Sequence, residues 1–256
     1  MKYIFNNTEK ITAGIKGRKI LLMLDYDGTV VPIAKTPSEA VLSDASRKIF
    51  NDIAKEPHIK LAFISGRSVA EIRKMAGIKG IFYAGNHGLE IEGPKTAFVH
   101  EKAKKTSSEL RSIFDALRKK LCSFKGVLIE DKVLSISVHF RLADPHEEKN
   151  IKALVKASAD KNRFRLSGGK KVIEIRPKEK WNKGNAAKFL LKKLKGCFPV
   201  YIGDDKTDED AFKALKGLGL TVFVGDRKKS AAGYYLNDTK EVISFVRFLG
   251  NRGNTA

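Results

Sequence analysis

The sequence predicts an α/β fold: a doubly wound parallel sheet of the Rossmann-like kind, with an α+β cap inserted into it. Three observations predict it. Short apolar runs alternate with amphipathic helical patterns up to about residue 94. A helix, two strands, a helix and two strands then follow as a unit of their own, over residues 95–178. After Trp181 the first rhythm returns. The expected domains are therefore 1–94 with 179–256, forming one core in two pieces, and 95–178, forming the cap.

In chain order, "KILLML" is a strand whose apolar residues are continuous, as in a sheet covered on both faces. "SDASRKIFNDIAK" places Ile49 and Ile53 at helical spacing, and Ser43 can cap it. "IKLAFIS" is a second strand, "SVAEIRKMAG" a short helix ending at Gly77, and "GIFYAG" a third strand. "HEKAKKTSSELRSIFDALRKKL" reads as one long helix. "VLIEDKVLSISVHFRLA" reads as two strands that turn near 130–132, and "PHEEKNIKALVKASA" as a helix. "FRLSGGKKVIEIRP" reads as a hairpin turning on Gly168 and Gly169. Helix "NKGNAAKFLLKKL", strand "PVYIGDD", helix "TDEDAFKALKG", strand "LTVFVG" and helix "TKEVISFVRFLG" complete the core.

Composition narrows the class. A chain of 256 residues can bury a sizeable core. No apolar run is long enough to span a bilayer, and the first residues lack a secretory apolar stretch, so a cytoplasmic protein with no membrane partner is expected. Cys122 and Cys197 match no zinc spacing and read as reduced thiols. Fifty Lys and Arg against twenty-nine Asp and Glu leave a net charge of +21. The basic residues are scattered over the polar faces of helices, without a basic tail or an aromatic-interleaved RNA motif. No specific nucleic acid is expected, and the chain is expected to be a monomer.

Ligands of parallel α/β sheets sit beyond the carboxyl ends of the strands. Three predicted strands end in polar residues there. The first ends in Asp25, Tyr26, Asp27, Gly28 and Thr29, the second in Ser65, Gly66 and Arg67, and a later one in Asp204 and Asp205, with Asp208 on the next turn. Crowded carboxylates repel and raise one another's pKa, which a hard divalent cation relieves; Mg²⁺ suits oxygen ligands combined with a phosphate. Thr29 and Ser65 offer hydroxyls, Gly28 and Gly66 offer unobstructed N–H groups, and Lys183 offers a point charge. Asp25, at the strand end, is the expected nucleophile. Asp27, two residues on, would protonate the leaving alcohol and then activate the water. Any one of these motifs is weak alone; the set, in this order and each on its own strand end, is not.

The set resembles the haloacid-dehalogenase superfamily of phosphotransferases. Its four motifs stand as "LDYDGT", "ISGR", Lys183 in "WNKGNAA" and "YIGDDKTDEDAF". Within it, "DYDGTVVPI", "YAGNHGLEIEGP", "VHFR", "GKKVIEIRP" and "GDDKTDEDAF" are similar to the trehalose-phosphatase family over nearly the whole chain. The resemblance implies a hydrolase core, and a Mg²⁺-dependent phosphatase that cleaves trehalose 6-phosphate through an aspartyl phosphate. It implies Asp25, the backbone carbonyl of Asp27 and Asp204 as metal ligands, with Asp205 and Asp208 in support. Ser65 and Lys183 would grip the phosphoryl group, with Gly28, Thr29, Gly66 and Arg67 around it. The alternative substrates are glucosyl- or mannosyl-glycerate phosphates, and the rival reading from another class is a basic nucleic-acid-binding protein.

In "LSISVHFRL", alternation puts Ser135, Ser137, His139 and Arg141 on one face. In "GKKVIEIRP" it puts Lys170, Glu174 and Arg176 on one face. The resemblance assigns His139, Arg141, Lys170 and Glu174 to sugar recognition, with Asn86 and His87 from the core. Trp181 is expected to pack rather than to bind.

Overall fold

The computed structural model describes residues 1–169, 171–226 and 229–251. It divides into two compact units, Met1–Phe98 with Trp181–Ala256, and Val99–Lys180.

The first unit is built on a nine-stranded sheet. In spatial order the strands are Lys2–Tyr3, Tyr234–Leu236, Leu220–Val224, Cys197–Gly203, Lys19–Leu24, Ile59–Ile64, Phe82–Gly85, Glu90–Gly93 and Thr96–Val99. The neighbours from Lys2–Tyr3 to Phe82–Gly85 pair in parallel, and Glu90–Gly93 joins antiparallel. Residues Ile20 to Leu24 are all buried because both faces are covered. Ile20, Leu22 and Leu24 pack with Phe50, Phe63 and Phe245 on one side, and Leu21 and Met23 with Tyr201 and Phe212 on the other. That is why the strand reads as continuous rather than alternating. The helices start where polar caps permit: Ser43 Oγ accepts from the Ser46 N–H at 3.2 Å, and Ser68 and Glu71 form a capping box.

The chain leaves the central Lys19–Leu24 strand in one direction and returns on its other side as Cys197–Gly203. The crevice of such a sheet opens at this reversal. Register then decides what meets there. Leu24 pairs with Ile202 on one side and Phe63 on the other, and the Asp25 N–H donates to the Ile202 carbonyl at 2.9 Å. The residues just beyond, Asp25, Ser65 and Asp204, therefore leave three adjacent strands at nearly one level.

The second unit is a four-stranded antiparallel sheet ordered Leu128–Asp131, Ile136–His139, Val172–Pro177, Phe164–Gly169. Its apolar face, with Ile136, Val138, Ile173 and Ile175, packs with Leu110, Ile113 and Leu117 of one helix and Ile151 and Val155 of another.

Three local expectations are corrected. The long helix is two, Glu101–Lys105 and Ser107–Leu121. At the break, Thr106 Oγ1 bonds the Lys102 and Ala103 carbonyls and Ser107 Oγ bonds the Lys104 carbonyl, so hydroxyls compete with the helical ladder. The first hairpin turns later than expected, with strands ending at Asp131 and resuming at Ile136. Gly168 and Gly169 lie inside a strand, paired with Ile173 and Val172, so they do not form the turn of the second hairpin.

Candidate active site

Asp25 follows the central strand and is almost wholly buried. Asp25, Asp204 and Asp208 each offer an oxygen, and these oxygens lie within 4.8 Å of one another. Lys183, the first residue of the helix Lys183–Lys193, joins them. Its Nζ donates to Asp25 Oδ1 at 2.8 Å and to Asp208 Oδ1 at 2.9 Å. Asn182 and Asn185 cap that helix reciprocally and so fix where the lysine begins.

Asp208 is held by three hydrogen bonds from the protein. Its Oδ1 also accepts from the Tyr201 hydroxyl at 2.7 Å, and its Oδ2 accepts from the Asp205 N–H at 3.0 Å. Its side chain therefore holds Lys183 and the turn after the strand. Asp205 is exposed, and its carboxylate accepts from the Lys206 N–H. Among the described residues, the acidic group includes neither Asp205 nor the carboxylate of Asp27.

Electrostatics follow from this crowding. Burial, then the Asp208 and Asp204 charges, push the Asp25 carboxyl well above the usual range, with Lys183 opposing them. Burial and Asp208 push Asp204 up to about 6. Burial disfavours the charge on Lys183, but Asp208 and Asp25 outweigh it and raise the ammonium pKa. Burial and the same carboxylates raise Tyr201. These acids fit a cation: all donors are hard oxygens, and a positive ion would relieve the repulsion that raises Asp25 and Asp204. The acidic group of Asp25, Asp204 and Asp208 can thus hold a metal ion.

The surrounding backbone is shaped for close approach. Gly28 has φ +84°, and a Cβ there would lie 2.1 Å from Asp204 Oδ2. Thr29 is fully buried and its hydroxyl lies 3.4 Å from Asp204 Oδ1. Ser65 is buried, with Oγ accepting from the Arg67 N–H at 3.2 Å. The His87 ring lies against Gly66, where a Cβ would come within 2.8 Å of it. Asn86 and His87 both take left-handed conformations, φ 50° and 57°, a strain of about 1–3 kcal/mol each that tertiary bonds must sustain. Those bonds are visible. The Asn86 N–H donates to the Arg67 carbonyl at 2.7 Å, and the His87 N–H to the Ser65 carbonyl at 2.8 Å. Asn86 Nδ2 donates to Glu90 Oε1 at 2.7 Å. Asn86 is fully buried, so its side chain positions the loop. Glu90, which also accepts from the Val69 N–H at 2.9 Å, was not foreseen.

These motifs match the trehalose-phosphatase family model over residues 23–240. The chain belongs to the trehalose-phosphatase family. It is 37% identical to a probable trehalose-phosphate phosphatase 3 of Oryza sativa subsp. japonica, over 94% of this chain and 72% of that one. It is 36% identical to trehalose 6-phosphate phosphatase RA3 of Zea mays, over 95% and 73%. Among solved structures it is similar to a trehalose-6-phosphate phosphatase related protein, with TM-score 0.83 and 25% identity over 91% of this chain and 98% of that one. The C-terminal domain of the C. albicans trehalose-6-phosphate phosphatase gives TM-score 0.77 at 26% identity, over 96% and 97%. A haloacid dehalogenase-like hydrolase of Bacteroides thetaiotaomicron, 15% identical at TM-score 0.62 over 91% and 100%, shares the fold.

The second unit of this family member carries its own polar cluster. Register sets Glu130, Ser137, Glu174 and Ser167 in one row across its four strands. Glu174 is buried, 3.4 Å from Ser135 Oγ, 3.4 Å from Arg176 Nε and 4.0 Å from Lys132 Nζ. His139 Nε2 lies 2.7 Å from Glu130 Oε2. Glu130 and Lys132 were missed by sequence reasoning, although their spacing of two in "EDK" and their place opposite Ser137 and Ser135 carried the signal. Arg141 departs from the expected face. The strand ends at His139, and Arg141 lies exposed in a turn closed by the Ala143 N–H and the Phe140 carbonyl. Lys170 lies outside the described residues. In the first unit, Trp181 packs as expected, stacked on Phe98 at 5.2 Å with its N–H on the Gly88 carbonyl at 2.6 Å.

Proposed function

We propose that this chain is a Mg²⁺-dependent phosphatase releasing trehalose from trehalose 6-phosphate through an aspartyl phosphate. The observation that carries the reading is the buried Asp25–Lys183–Asp208 arrangement beside Asp204, in a chain of the trehalose-phosphatase family.

Carboxylate oxygens of Asp25 and Asp204, with the Asp27 carbonyl, would hold Mg²⁺, while Asp208 supports them through Lys183 and Asp205 through the turn. The ion would supply charge neutralisation at the attacked phosphoryl group. Lys183, Ser65 and the N–H groups near Thr29 and Gly66 orient that group, whereas the Gly28 N–H, expected from the sequence to be open, donates to the Val31 carbonyl at 2.7 Å. An Asp25 oxygen attacks phosphorus, and the bond from phosphorus to the sugar oxygen breaks. Its electron pair goes to the sugar oxygen, which takes the proton of Asp27. Water then attacks phosphorus and gives a proton to Asp27, and the phosphorus–Asp25 bond breaks with its electrons returning to the carboxylate. The net reaction is substrate plus water giving alcohol plus phosphate.

Sugar recognition is assigned to the polar face of the inserted unit, with Glu130, Lys132, His139 and Glu174, and to Lys170 from the sequence pattern; Arg141, which lies in the turn beyond the strand, is kept only as what the family resemblance implies. His87 is retained as a substrate group of the core. A disaccharide's hydroxyls suit such a mixed array of donors and acceptors.

The test is a sugar-phosphate panel with Mg²⁺ and with EDTA. The reading expects metal-dependent phosphate release, with kcat/KM for trehalose 6-phosphate at least about tenfold above that for hexose phosphates. Equal rates across the panel would remove the trehalose assignment, and undiminished rates in EDTA would remove the metal.

A further inference from the structure

Arg67 stands in the second motif as a candidate phosphate ligand, yet its guanidinium is committed elsewhere. Nε donates to Asp27 Oδ2 at 2.7 Å, and Nη2 donates to Asp27 Oδ1 at 2.7 Å and to the Pro37 carbonyl at 3.0 Å. Its side chain is 9% exposed, whereas that of Asp27 is 36% exposed. The backbone of Arg67 is pinned as well: its N–H donates to Ser65 Oγ, and its carbonyl accepts from the Asn86 N–H. The guanidinium carbon sits 5.9 Å from the centre of the Tyr26 ring.

We infer that Arg67 is the positioning residue of the acid/base: it sets the plane and direction of the Asp27 carboxylate and does not grip the phosphoryl group. The inference rests on the reading that Asp27 serves the leaving alcohol. A side-on guanidinium fork bonds one lone pair of each carboxylate oxygen and so fixes rotation as well as position, which a point charge cannot do. The second lone pair of each oxygen remains for the reaction, on the side where Asp27 reaches solvent. Arg67 itself does not drift, because the Pro37 carbonyl and two backbone hydrogen bonds hold it.

The consequence depends on the leaving group. A sugar alkoxide is a poor leaving group and needs its proton as the bond to phosphorus breaks. A 4-nitrophenolate leaves unaided. A residue that acts through the acid therefore affects sugar phosphates selectively, whereas a phosphate ligand or a general support affects both substrates alike. The ratio is read in kcat/KM, which covers only steps up to release of the alcohol, so the later hydrolysis does not blur it.

The experiment measures kcat/KM for trehalose 6-phosphate and for 4-nitrophenyl phosphate in wild type, Arg67→Ala, Arg67→Lys, Asp27→Asn and the Arg67→Ala/Asp27→Asn double variant. Arg67→Ala is expected to lose about 10–100-fold on the sugar phosphate and less than about threefold on the aryl phosphate. Arg67→Lys should recover part of the sugar-phosphate loss. The double variant should be no worse than Asp27→Asn beyond about threefold, since the two residues act as one unit. Equal losses on both substrates, no loss, a gain on the sugar phosphate, or additive losses in the double variant would each overturn the inference. A selective loss in Asp27→Asn beside an equal loss in Arg67→Ala overturns it alone. Full sugar-phosphate turnover by Asp27→Asn removes the acid/base reading and this inference with it. If Arg67→Ala does not fold, Arg67→Lys carries the same ratio.

Discussion

Replacing Asp204 by Asn should make the metal-free protein more stable, while disabling it. Burial and the neighbouring Asp208 raise the Asp204 carboxyl from 3.8 to about 6. Between those values the folded state binds more protons than the unfolded state, so stability falls as pH rises through that window. Above about pH 6 the full penalty is present. A difference of that size corresponds to about 3 kcal/mol, and solvent screening at this partly exposed group reduces it to on the order of 1–3 kcal/mol. Asn keeps the shape, can still accept from Thr29, and carries no charge. In EDTA near neutral pH, Asp204→Asn is expected to melt above wild type by roughly 2–12 °C, taking 2–4 °C per kcal/mol. Near pH 4 the two curves should converge. Added Mg²⁺ should then raise the wild type and leave the variant nearly unmoved; a concentration 100 times Kd gives about 2.7 kcal/mol. Scanning calorimetry across pH, with EDTA and with MgCl₂, reads all of this. A variant no more stable than wild type in EDTA near neutral pH, or one that Mg²⁺ stabilises equally, would refute the electrostatic account.

Other outcomes follow from the same geometry. Asp25→Asn should release phosphate at least about 10⁴-fold more slowly, yet retain trehalose 6-phosphate with Mg²⁺ in equilibrium dialysis, because the amide loses the charged attacking oxygen but keeps one oxygen to face the ion. Gly28→Ala should lose at least about 100-fold in kcat, because its Cβ meets Asp204 and left-handed backbone adds about 1–2 kcal/mol; near-normal turnover would mean that the loop yields freely. Glu174→Ala should raise KM for trehalose 6-phosphate about tenfold and change hexose phosphates less, as steady-state kinetics on both would record. An Ala variant with full discrimination would remove Glu174 from sugar recognition.

What could be read from the sequence follows from where information is local. The strand "KILLML" and the acids after it are contiguous, so the continuous apolar run and the position at its end placed Asp25 without any tertiary knowledge. The coming together of Asp25, Ser65 and Asp204 needed only parallel register. The supports were not legible in this way. Glu90 serves Asn86 through a left-handed turn, and Tyr201 reaches Asp208 from inside a strand that reads as plain core. Two residues, Lys2–Tyr3, are too few to show a period, yet they pair with Tyr234 and Tyr235 at the edge of the sheet. Helical spacing runs unbroken through Thr106, but the hydroxyls of Thr106 and Ser107 bond back to carbonyls of the first helix, and the second begins without a side-chain cap. Alternation misplaced Arg141 for a related reason: periodicity does not report where a strand stops.

Charge balance explains why the site needs both a cation and an anion. Asp25, Asp204 and Asp208 against Lys183 leave two negative charges when all are ionised. In that state a dianionic phosphoryl group would be repelled. The protein's own response, without a metal, is to raise Asp25 and Asp204 toward protonation, which would silence Asp25 as the proposed nucleophile. On the proposed reading, one divalent cation held by Asp25 and Asp204 would cancel the excess, favour the ionised carboxylate of Asp25 and leave the site neutral before substrate arrives. Tyr201 and the Asp205 N–H bind Asp208 so that it supports Lys183. The ammonium is thereby left bridging the nucleophile and its support. On this account metal and substrate would bind with positive coupling, and the bonds of Tyr201 and the Asp205 N–H to Asp208 would keep the four charges in a fixed arrangement until an ion completes them.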